Sequence, residues 1–500
     1  MHTIRPSLTE ATAIRNSGPG RYDVIPISIE LMSDESTPIT LLKKLKKAST
    51  HCFILESSED KERWGRYTFL GFDPKTEITC INGKVTVKSG GEVSTQNAGA
   101  DADPNVCIRR ILDRHKSPKL DCLPPFTGGL VGYFAYDYAK YSEKALKLDA
   151  EDKELFNDVD LMLFDKVIAF DNFRQKIILI ANMRVSEDNF EGEYNNAVSA
   201  LNAMRELIRS GEPADPAPPR FKSDFREQFT EGEFCSMVLR AKEHIREGDI
   251  FQVVLSNCFE ADFDGGLLDA YRVLRTINPS PYMFYLSGAD VEIAGASPET
   301  LVKLQDGKLF TFPLAGTRPR GGCYDEDAAL ERELLADEKE LAEHNMLVDL
   351  GRNDLGRISQ FGTVSVEKYM EILRFSHVMH IGSTVSGIIR SEFTGLDAIN
   401  AVLPAGTLSG APKIRAMQII SELERRKRGI YGGAIGYLDF TGNMDTCIAI
   451  RIAYKKNGKV FVRSGAGVVA DSVPESEYRE CVNKARAVIT ALRESEGGVE

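Results

Sequence analysis

The sequence predicts an α+β fold in which largely antiparallel sheets are flanked by helices. Strand-like runs rich in β-branched and aromatic residues recur along the chain, for example at 52–57, 161–170 and 176–183. The turn sequences INGK (81–84) and KKNGK (455–459) are typical of hairpins, which join antiparallel neighbours. Because helical patterns lie between such strands, an α+β arrangement is favoured over a parallel α/β sheet.

Helices and strands are expected to alternate from one end of the chain to the other. Apolar residues recur with helical spacing at 39–48 and 194–208 in the first half. In the second half, a helix is predicted at 230–250, a strand at 251–263 and a long helix through 326–348.

A proline-rich segment divides the chain. Four of the seven residues 213–219 are proline, which opposes regular structure and fits a linker at 210–225. We therefore predict an N-terminal region, 1–209, and a C-terminal region, 226–500. A chain of 500 residues is long enough for more than one module.

Composition excludes several classes of function. The chain has 62 basic and 74 acidic residues, a formal net charge of −12, which argues against nucleic acid or an anionic membrane as the main partner. No apolar run is long enough to span a bilayer, and the N-terminal segment lacks the apolar centre of a signal peptide. Nine scattered cysteines without CxxC spacing predict reduced thiols in a cytoplasmic protein.

Two predicted helices each offer a pair of carboxylates three residues apart. Glu340 and Glu343 form one pair, and Glu477 and Glu480 form the other. Side chains at this spacing share a helix face, so two such faces brought together would make an all-oxygen pocket of the kind Mg²⁺ prefers. Glutamate pairs are also common on solvated surfaces, so spacing alone leaves both interpretations open.

The sequence also predicts the buried face of the first acidic helix and the start of the second. Leu334, Leu341 and Val348 recur every seven residues and form the buried stripe of the first acidic helix. Ser472 and Glu475 have the spacing of a capping box, so the second acidic helix is expected to begin there.

Other candidate residues each admit a structural and a functional interpretation. Arg451 alternates with apolar residues on a predicted strand, and an inward arginine needs an anion or an acidic partner. The glycines of SGAG (464–467) would let backbone N–H groups approach an anion, or would form a tight turn. His380 is either a core residue or a catalyst. No G-x-S-x-G or G-x-C-x-G turn is present, so covalent hydrolase chemistry is unsupported.

Taken together, many ordered segments resemble the chorismate-utilising enzymes, and most closely the anthranilate synthase component I branch of that family. In the N-terminal half the resemblance rests on FILESSEDKERWGRYTFLGFDP and PPFTGGLVGYFAYD. In the C-terminal half it rests on EGDIFQVVLS, ASPETLVKL, FPLAGTRPRG, DEKELAEHNMLVDLGRNDLGRIS, SHVMHIGSTVSG, LPAGTLSGAPKIRAMQII, YGGAIGY, DTCIAIRIA and SGAGVVADSVPESEYRECVNKARAV. It implies sheets that pack orthogonally.

The resemblance implies a reaction and roles for residues. Ammonia adds at C2 of chorismate as the C4 hydroxyl leaves, and pyruvate is then eliminated to give anthranilate. Glu299 would be the general acid, His380 would serve elimination, and Gln252 would lie on the ammonia side. Mg²⁺ would bind Glu343 and Glu480 directly, with Glu340 and Glu477 acting directly or through water. Groups that would contact the substrate are Thr407, Tyr431, Arg451, Gly465, Ala466, Gly467 and Lys484.

Two positions discriminate between members of the family. Relatives that form aminodeoxychorismate carry a nucleophilic lysine where this chain has Ala315. Relatives that add water carry a basic lysine where this chain has Gln252, and a glutamine cannot act as that base. Both substitutions favour anthranilate as the product, with aminodeoxychorismate synthase component I as the alternative within the family.

The resemblance also implies regulation and a partner. The N-terminal element and the turn NPSPYMF would bind tryptophan as a feedback inhibitor, through Leu55, Glu56, Ser57, Pro281, Tyr282 and Met283. Cys447 would lie close to the path between that site and the active site. The N-terminal segment FILES also fits an ordinary buried strand. A glutamine amidotransferase subunit would supply ammonia in a hetero-oligomer. A non-catalytic tryptophan-binding subunit is a second alternative, disfavoured by the intact acid, metal and histidine positions.

Overall fold

Two antiparallel β-sheets, of 13 and 12 strands, form the centre of the protein in the computed structural model. The structure describes residues 3–18, 20–58, 65–96, 103–148, 150–214, 217–374 and 378–499. All pairs of named strands in these ranges are antiparallel, which confirms the predicted fold class. Parts of three quoted segments lie outside the described residues, namely 59–64, 215–216 and 376–377.

The described ranges contain eleven α-helices and two short 3₁₀ helices, Tyr136–Tyr141 and Gly406–Leu408. None of these helices is both long enough and apolar enough to cross a membrane. In chain order the α-helices are α1 Leu8–Asn16, α2 Pro38–Ala48, α3 Pro104–Asp113, α4 Phe190–Ser210, α5 Glu231–Arg246, α6 Leu268–Ile277, α7 Tyr324–Ala336, α8 Glu338–Gly356, α9 Gly395–Val402, α10 Lys413–Glu424 and α11 Pro474–Glu494.

The strands are short to medium in length and alternate with these helices. In chain order they are β1 Val24–Met32, β2 Cys52–Glu56, β3 Tyr67–Phe72, β4 Thr76–Ile81, β5 Lys84–Ser89, β6 Glu92–Gln96, β7 Gly129–Phe134, β8 Val159–Phe164, β9 Lys166–Asp171, β10 Lys176–Arg184, β11 Arg220–Phe221, β12 Arg226–Glu227, β13 Gln252–Asp264, β14 Tyr282–Ser287, β15 Glu292–Ser297, β16 Thr300–Gln305, β17 Lys308–Thr311, β18 Leu314–Pro319, β19 Ser365–Arg374, β20 Val378–Ile388, β21 Gly410–Ala411, β22 Ala434–Asp439, β23 Met444–Ile448, β24 Ile452–Lys456 and β25 Lys459–Val468.

Both sheets combine strands from before and after the proline-rich segment. The first sheet has the order β1-β10-β9-β3-β2-β14-β15-β24-β25-β13-β11, with β12 and β21 also paired to β13. The second has the order β18-β20-β17-β16-β23-β22-β7-β8-β4-β5-β6, with β19 paired to β20. The division of the chain at 210–225 stays a prediction of the sequence.

An aromatic core fills the space between the two sheets. Phe53 and Phe284 come from the first sheet, and Phe164 comes from the second. The rings of Phe53 and Phe164 meet edge to face with centroids 4.8 Å apart. Separate apolar clusters lie on the outer faces, where helices such as α4 and α9 cover the sheets. The protein is therefore layered as helices, sheet, sheet and helices.

Two of the places where the chain crosses between the sheets are neighbours. The chain passes from the first sheet to the second between β15 and β16, and returns between β23 and β24. The two crossings are joined because Ile448 N donates to the carbonyl of Glu299 at 2.9 Å, and Ala296 N donates to the carbonyl of Arg451 at 3.1 Å. The segments that carry Glu299 and Arg451 thus meet where the chain crosses between the sheets.

Two predictions about helix ends are wrong. The long helix expected through 326–348 is broken at Asp337, whose carboxylate accepts from Lys339 N and Glu340 N and so begins α8 as an N-cap. The second acidic helix does not begin at a capping box, because Ser472 Oγ accepts from Val469 N instead. The helix begins at Pro474, which needs no hydrogen-bond partner at that position.

Candidate active site

Glu299 lies in a small cavity between the sheet crossing and helix α8. The cavity has a volume of about 40 Å³, and Thr407 and Leu347 also line it. Thr407 Oγ1 donates to Glu299 Oε1 at 3.0 Å. Burial raises the pKa of Glu299 to about 7, although the bond from Thr407 and the charge of Lys484 oppose the rise. A carboxyl group with this pKa is protonated in a large fraction of molecules near neutral pH and is suited to donate a proton.

The two acidic helices face each other across the site. Burial raises the pKa of Glu343 on α8, and the charges of Glu340 beside it and Glu480 on α11 raise it further. Burial also raises the pKa of Glu477, and Glu480 again adds to the rise. The predicted pairs on α8 and α11 are therefore close enough to repel one another.

This acidic cluster fits a divalent cation by its chemistry. The four side chains supply only carboxylate oxygens, and their mutual repulsion leaves negative charge that a cation would neutralise. Lys484 Nζ lies 2.6 Å from Glu480 Oε1 and offsets part of the charge. No three of the four glutamates, all of which lie in the described ranges, bring their oxygens within 4.8 Å of one another.

Arg451 faces a solvent-open cleft of about 490 Å³ beside α11, which Glu480 and Lys484 also line. The prediction that it lies within a strand is wrong, because it occupies the bend between β23 and β24 with φ of +52°. Burial lowers the pKa of its guanidinium. Among the described residues no carboxylate forms an ion pair with it, so the group is suited to bind an anionic ligand.

The SGAG segment is part of strand β25, so the tight-turn interpretation is wrong. Gly465 and Gly467 lie opposite Ser256 and Val254 of β13. The N–H groups of Ser256 and Val254 donate elsewhere, and Lys484 Nζ donates to Gly465 O at 3.2 Å.

The polar groups of these two glycines therefore point away from β13. In an antiparallel pair the N–H and C=O of one residue point to the same side, so the N–H of Gly465 follows its carbonyl towards Lys484. On that side β24 pairs with β25 only as far as Val462, within the described part of the chain. The backbone of Gly465–Gly467 is consequently placed to donate hydrogen bonds to an anion.

Tyr431 and Gln252 lie directly against the glycines. A methyl group added to Gly465 would lie 3.1 Å from the hydroxyl of Tyr431, and one added to Gly467 would lie 3.0 Å from Gln252 Nε2. Both side chains are buried. Side chains at the two glycine positions would therefore crowd the polar groups that line the site.

His380 on β20 approaches the acidic helix α8 through strand β18. Its Nδ1 lies 2.9 Å from the carbonyl of Gly316, and Cβ at Gly316 would lie 3.3 Å from Glu340 Oε2. A carbonyl only accepts, so Nδ1 carries the proton and Nε2 is the basic nitrogen of the neutral ring. Burial lowers the pKa of His380, and the charge of Arg451 lowers it further. Ala315 precedes this glycine and has no nucleophilic group.

A second cavity, of about 110 Å³, lies between the sheets where β2 meets β14. It is lined by all six residues predicted to bind an inhibitor, which are Leu55, Glu56, Ser57, Pro281, Tyr282 and Met283. Glu56 is already paired, because Arg275 Nε and NH2 donate to its carboxylate at 2.6 and 3.0 Å and Tyr271 donates at 2.5 Å. Its charge is therefore neutralised within the protein.

Sequence reasoning missed two polar residues of this second cavity. Lys303 and Asp445 line it from the second sheet and form an ion pair of 3.4 Å. Cys447, predicted to lie near the path between the sites, lines it as well. The Tyr282 hydroxyl lies 2.9 Å from Asp445 Oδ1 and 2.8 Å from Thr300 Oγ1. No local pattern marks these residues, because only the packing of two sheets brings them to the cavity.

A further group of possible ligands was also missed. Within the described ranges, His244, Glu247 and Asp249 are the three side chains whose ligand atoms lie within 4.8 Å of one another. Arg415 already donates to Asp249 at 2.6 Å and lowers the pKa of that carboxyl. The charge of the group is thus partly compensated by the chain itself.

Comparisons with known proteins identify the family of this chain. Residues 50–490 match the model of the family described as chorismate binding enzyme. The chain is 46% identical over 481 residues to anthranilate synthase component 1 of Acetivibrio thermocellus, covering 95% of this chain and 96% of the relative. It is 44% identical over 490 residues to the protein of that name from Pseudomonas aeruginosa, covering 96% of this chain and 97% of the relative.

Solved structures give the same result. Anthranilate synthase component I from Streptococcus pneumoniae superposes with a TM-score of 0.73 at 41% identity, covering 85% of this chain and 92% of that one. The menaquinone-specific isochorismate synthase of Escherichia coli has a TM-score of 0.69 at 19% identity, covering 97% of this chain and 98% of that one, and so shares the fold. The chain therefore belongs to the chorismate-binding enzyme family and, within it, groups with the anthranilate synthase component 1 proteins.

Proposed function

We propose that this chain converts chorismate and ammonia to anthranilate and pyruvate, as the synthase component of a tryptophan-biosynthetic lyase. The observation that carries the proposal is Glu299, a carboxyl group with a pKa of about 7 held beside Thr407 in a cavity at the sheet crossing. An acid of this kind is what departure of the C4 hydroxyl requires. Membership of the family supplies the substrate class.

Binding of the enolpyruvyl carboxylate is assigned to Arg451 and the glycine strand. The Arg451 guanidinium lacks a carboxylate partner among the described residues, and the N–H groups of Gly465 and Gly467 point away from β13. The Tyr431 hydroxyl adds a donor beside Gly465, and Lys484 adds positive charge near Gly465 and Glu480. These groups together would bind one carboxylate of the substrate.

Different residues serve the loss of the C4 hydroxyl and the addition of ammonia. The Oε2 proton of Glu299 goes to the C4 hydroxyl, which leaves as water, while the bond from Thr407 keeps Oε1 as an acceptor. Ammonia attacks C2 from the side of Gln252, which is buried against Gly467 and has no basic group. The ammonium group formed at C2 loses one proton to solvent and Glu299 regains one, so the step gives the amino intermediate and water. Because ammonia needs no base to become a nucleophile, Gln252 suits ammonia better than water.

Elimination of pyruvate is assigned to His380. Its Nδ1–H is held by Gly316 O, so Nε2 is the nitrogen that takes the ring proton as the enolpyruvyl group departs. Its lowered pKa keeps the ring neutral and able to accept that proton near neutral pH. The bond between the ring and the enolpyruvyl oxygen breaks, and the departing group takes up one proton at its methylene carbon to become pyruvate. The ring is left as the aromatic amine.

Mg²⁺ is the cofactor that the acidic cluster suits. Glu343 and Glu480 would bind it directly, and Glu340 and Glu477 would act directly or through water. When bound, the ion supplies positive charge that neutralises the ring carboxylate of the substrate. The repulsion among these carboxylates supports a cation site between α8 and α11.

Two further parts of the proposal concern inhibition by tryptophan and the source of ammonia. The 110 Å³ cavity between the sheets would bind tryptophan as a feedback inhibitor, since its lining combines aromatic rings with Ser57, Lys303 and Asp445. Ammonia would come from a glutamine amidotransferase subunit, because the sequence contains no cysteine nucleophile turn of its own. We propose a cytoplasmic hetero-oligomer.

The experiment is to mix the purified chain with chorismate, Mg²⁺ and ammonium salt and to follow anthranilate fluorescence. We expect fluorescence with ammonium salt and none with glutamine alone, and Glu299→Gln serves as the inactive control. A product that elutes as aminodeoxychorismate, formed without release of pyruvate, would favour the aminodeoxychorismate alternative. Absence of any product, together with tryptophan binding, would favour the regulatory-subunit alternative. Glutamine-dependent product from the isolated chain would contradict the need for a partner.

A further inference from the structure

A buried ionic triad lies beneath the candidate active site and has no part in the chemistry above. Arg428, Glu424 and Arg463 have side chains that are each 1% exposed. Arg428 NH2 and Nε donate to the two oxygens of Glu424 at 2.5 and 3.0 Å, and Arg463 NH1 donates to Glu424 Oε2 at 3.1 Å. Two cations and one anion leave a net positive charge in the interior of an acidic chain.

The outer hydrogen bonds of Arg428 reach two segments that carry site residues. Arg428 NH1 donates to the carbonyl of Leu408 at 2.5 Å, and Leu408 directly follows Thr407. Arg428 NH2 donates to the carbonyl of Val254 at 2.6 Å, and Val254 lies two residues after Gln252. One guanidinium group thus bonds both the segment that carries Thr407 and the strand that carries Gln252.

The other two members of the triad both bond Ser256, the residue of β13 that lies opposite Gly465. Glu424 Oε1 accepts from the backbone N–H of Ser256 at 2.8 Å and from its hydroxyl at 3.0 Å. Ser256 lies opposite Gly465 in the sheet, so this bond occupies the N–H that faces away from β25. Arg463 lies two residues before Gly465 and donates to Ser256 Oγ at 3.2 Å.

A segment of the N-terminal half packs against the same arginine. The guanidinium carbon of Arg428 lies 4.5 Å from the ring centroid of Tyr136, within the GYFAYD segment. Tyr136 N donates to Gly429 O at 3.0 Å, and Gly429 N donates to Asp137 Oδ2 at 3.4 Å. The turn at Gly429 has φ of +61°, and it leads to Tyr431 of the site. The first half of the chain therefore helps to set the position of Arg428.

A purely stabilising role explains this arrangement poorly. Burial of charged groups costs free energy that their attraction often only offsets, and apolar side chains of similar volume commonly serve as well. What apolar side chains cannot provide is directional bonding to four separate backbone and hydroxyl groups. Those bonds end next to Thr407, Gln252 and Gly465.

We propose that Arg428, Glu424 and Arg463 are positioning residues that hold the Thr407 segment, the Gln252 segment and the glycine strand in register for binding of the substrate. The inference rests on the proposed function. Loss of register would weaken contacts with the substrate's carboxylates more than it would weaken the fold, since each segment keeps its own strand or helix. Lysine at position 428 or 463 retains the charge but loses the forked donor geometry.

The test compares Arg428→Lys and Arg463→Lys with Arg426→Lys. Arg426 lies two residues before Arg428 but pairs at 2.9 Å with Glu260, which is near the other end of β13 from Gln252, so it is the matched control. KM for chorismate and kcat are measured with ammonium salt, and Tm is measured by circular dichroism. We expect KM to rise about tenfold in Arg428→Lys, with a smaller fall in kcat, and KM in the control to match the parent.

The outcomes separate this inference from the function it rests on. A fall in Tm with unchanged KM in both triad variants would show a structural role only and overturn the inference. An equal rise of KM in Arg426→Lys would overturn it as well. If Arg428→Lys does not fold, Arg463→Lys decides alone, with a severalfold rise of KM expected. A parent chain that forms no anthranilate overturns the proposed function, and the inference falls with it.

Discussion

The hydroxyl of Thr407 donates a 3.0 Å hydrogen bond to Oε1 of Glu299. This bond joins the short 3₁₀ helix at Gly406–Leu408 to the crossing between the two sheets. It stabilises the ionised form of Glu299 and so opposes the effect of burial, which raises the pKa of that carboxyl to about 7. Because Oε1 accepts from Thr407, the acidic proton is left on Oε2, where a leaving group can receive it.

This relationship predicts how activity depends on pH. A general acid works only when protonated, so kcat should fall as the pH rises through about 7. The bond from Thr407 lowers the pKa of Glu299, so its loss in Thr407→Val should raise that pKa and move the fall in kcat to higher pH. Thr276→Val, an exposed helical threonine, is the control. A fall in kcat at the same pH in Thr407→Val and the parent would contradict this account.

Removal of either central carboxylate should impair use of the metal. Glu343→Gln and Glu480→Gln each remove a charged oxygen from the cluster between α8 and α11, and turnover should drop at least about a hundredfold in limiting Mg²⁺. Circular dichroism should show an intact fold. Glu338→Gln and Glu475→Gln, at exposed positions in the first turns of the same helices, are matched controls and should retain activity. Normal turnover by Glu343→Gln in limiting Mg²⁺ would rule out the metal assignment.

Loss of His380 should separate the two half-reactions. The imidazole is held by Gly316 O, with Nε2 as the basic nitrogen, and its proposed task begins only after ammonia has added. His380→Met should therefore still consume chorismate but release pyruvate slowly, so the amino intermediate should accumulate on chromatography. If chorismate consumption and anthranilate formation fall equally and no intermediate is seen, His380 acts in addition or in structure instead.

Occupation of the inter-sheet cavity should inhibit the enzyme. Ser57 lines that cavity of about 110 Å³, and a phenylalanine in its place would fill much of the space for tryptophan. Ser57→Phe should keep activity and lose inhibition by tryptophan. Ser94→Phe, on the exposed strand β6, is the control and should remain inhibited. Unchanged inhibition in Ser57→Phe, or none in the parent chain, would exclude the regulatory site and leave the catalytic assignment standing.

Coupling between the two sites should depend on Tyr282. Its hydroxyl bonds Thr300, the residue after Glu299, and also Asp445 in the cavity. A ligand can change activity only if it binds two arrangements of the protein with different affinity. Tyr282→Phe should therefore bind tryptophan yet show weaker inhibition, measured as a higher inhibitory concentration relative to Kd. An unchanged ratio of these two quantities would show that coupling follows another route.

Local patterns predicted many individual elements well. The helix expected at 230–250 is α5, Glu231–Arg246, and the strand expected at 251–263 is β13, Gln252–Asp264. Both have strong periodicity and an unambiguous end, such as the capping box of Thr230 and Glu233. The run 161–170 was less informative. It forms two strands in different sheets, β8 and β9, because the chain turns at Asp165.

The sequence by itself determined the α+β class, the carboxylate pairs at three-residue spacing and, through ordered motifs, the family. These features depend on neighbours along the chain, where helix and strand periods dictate which side chains share a face. Only the tertiary structure decided that α8 and α11 face each other, that Arg451 lies on a bend between two strands, and that Lys303 and Asp445 line the cavity between the sheets. Such placements depend on how two sheets pack and exchange strands, and packing joins residues too distant in sequence for any local pattern to mark.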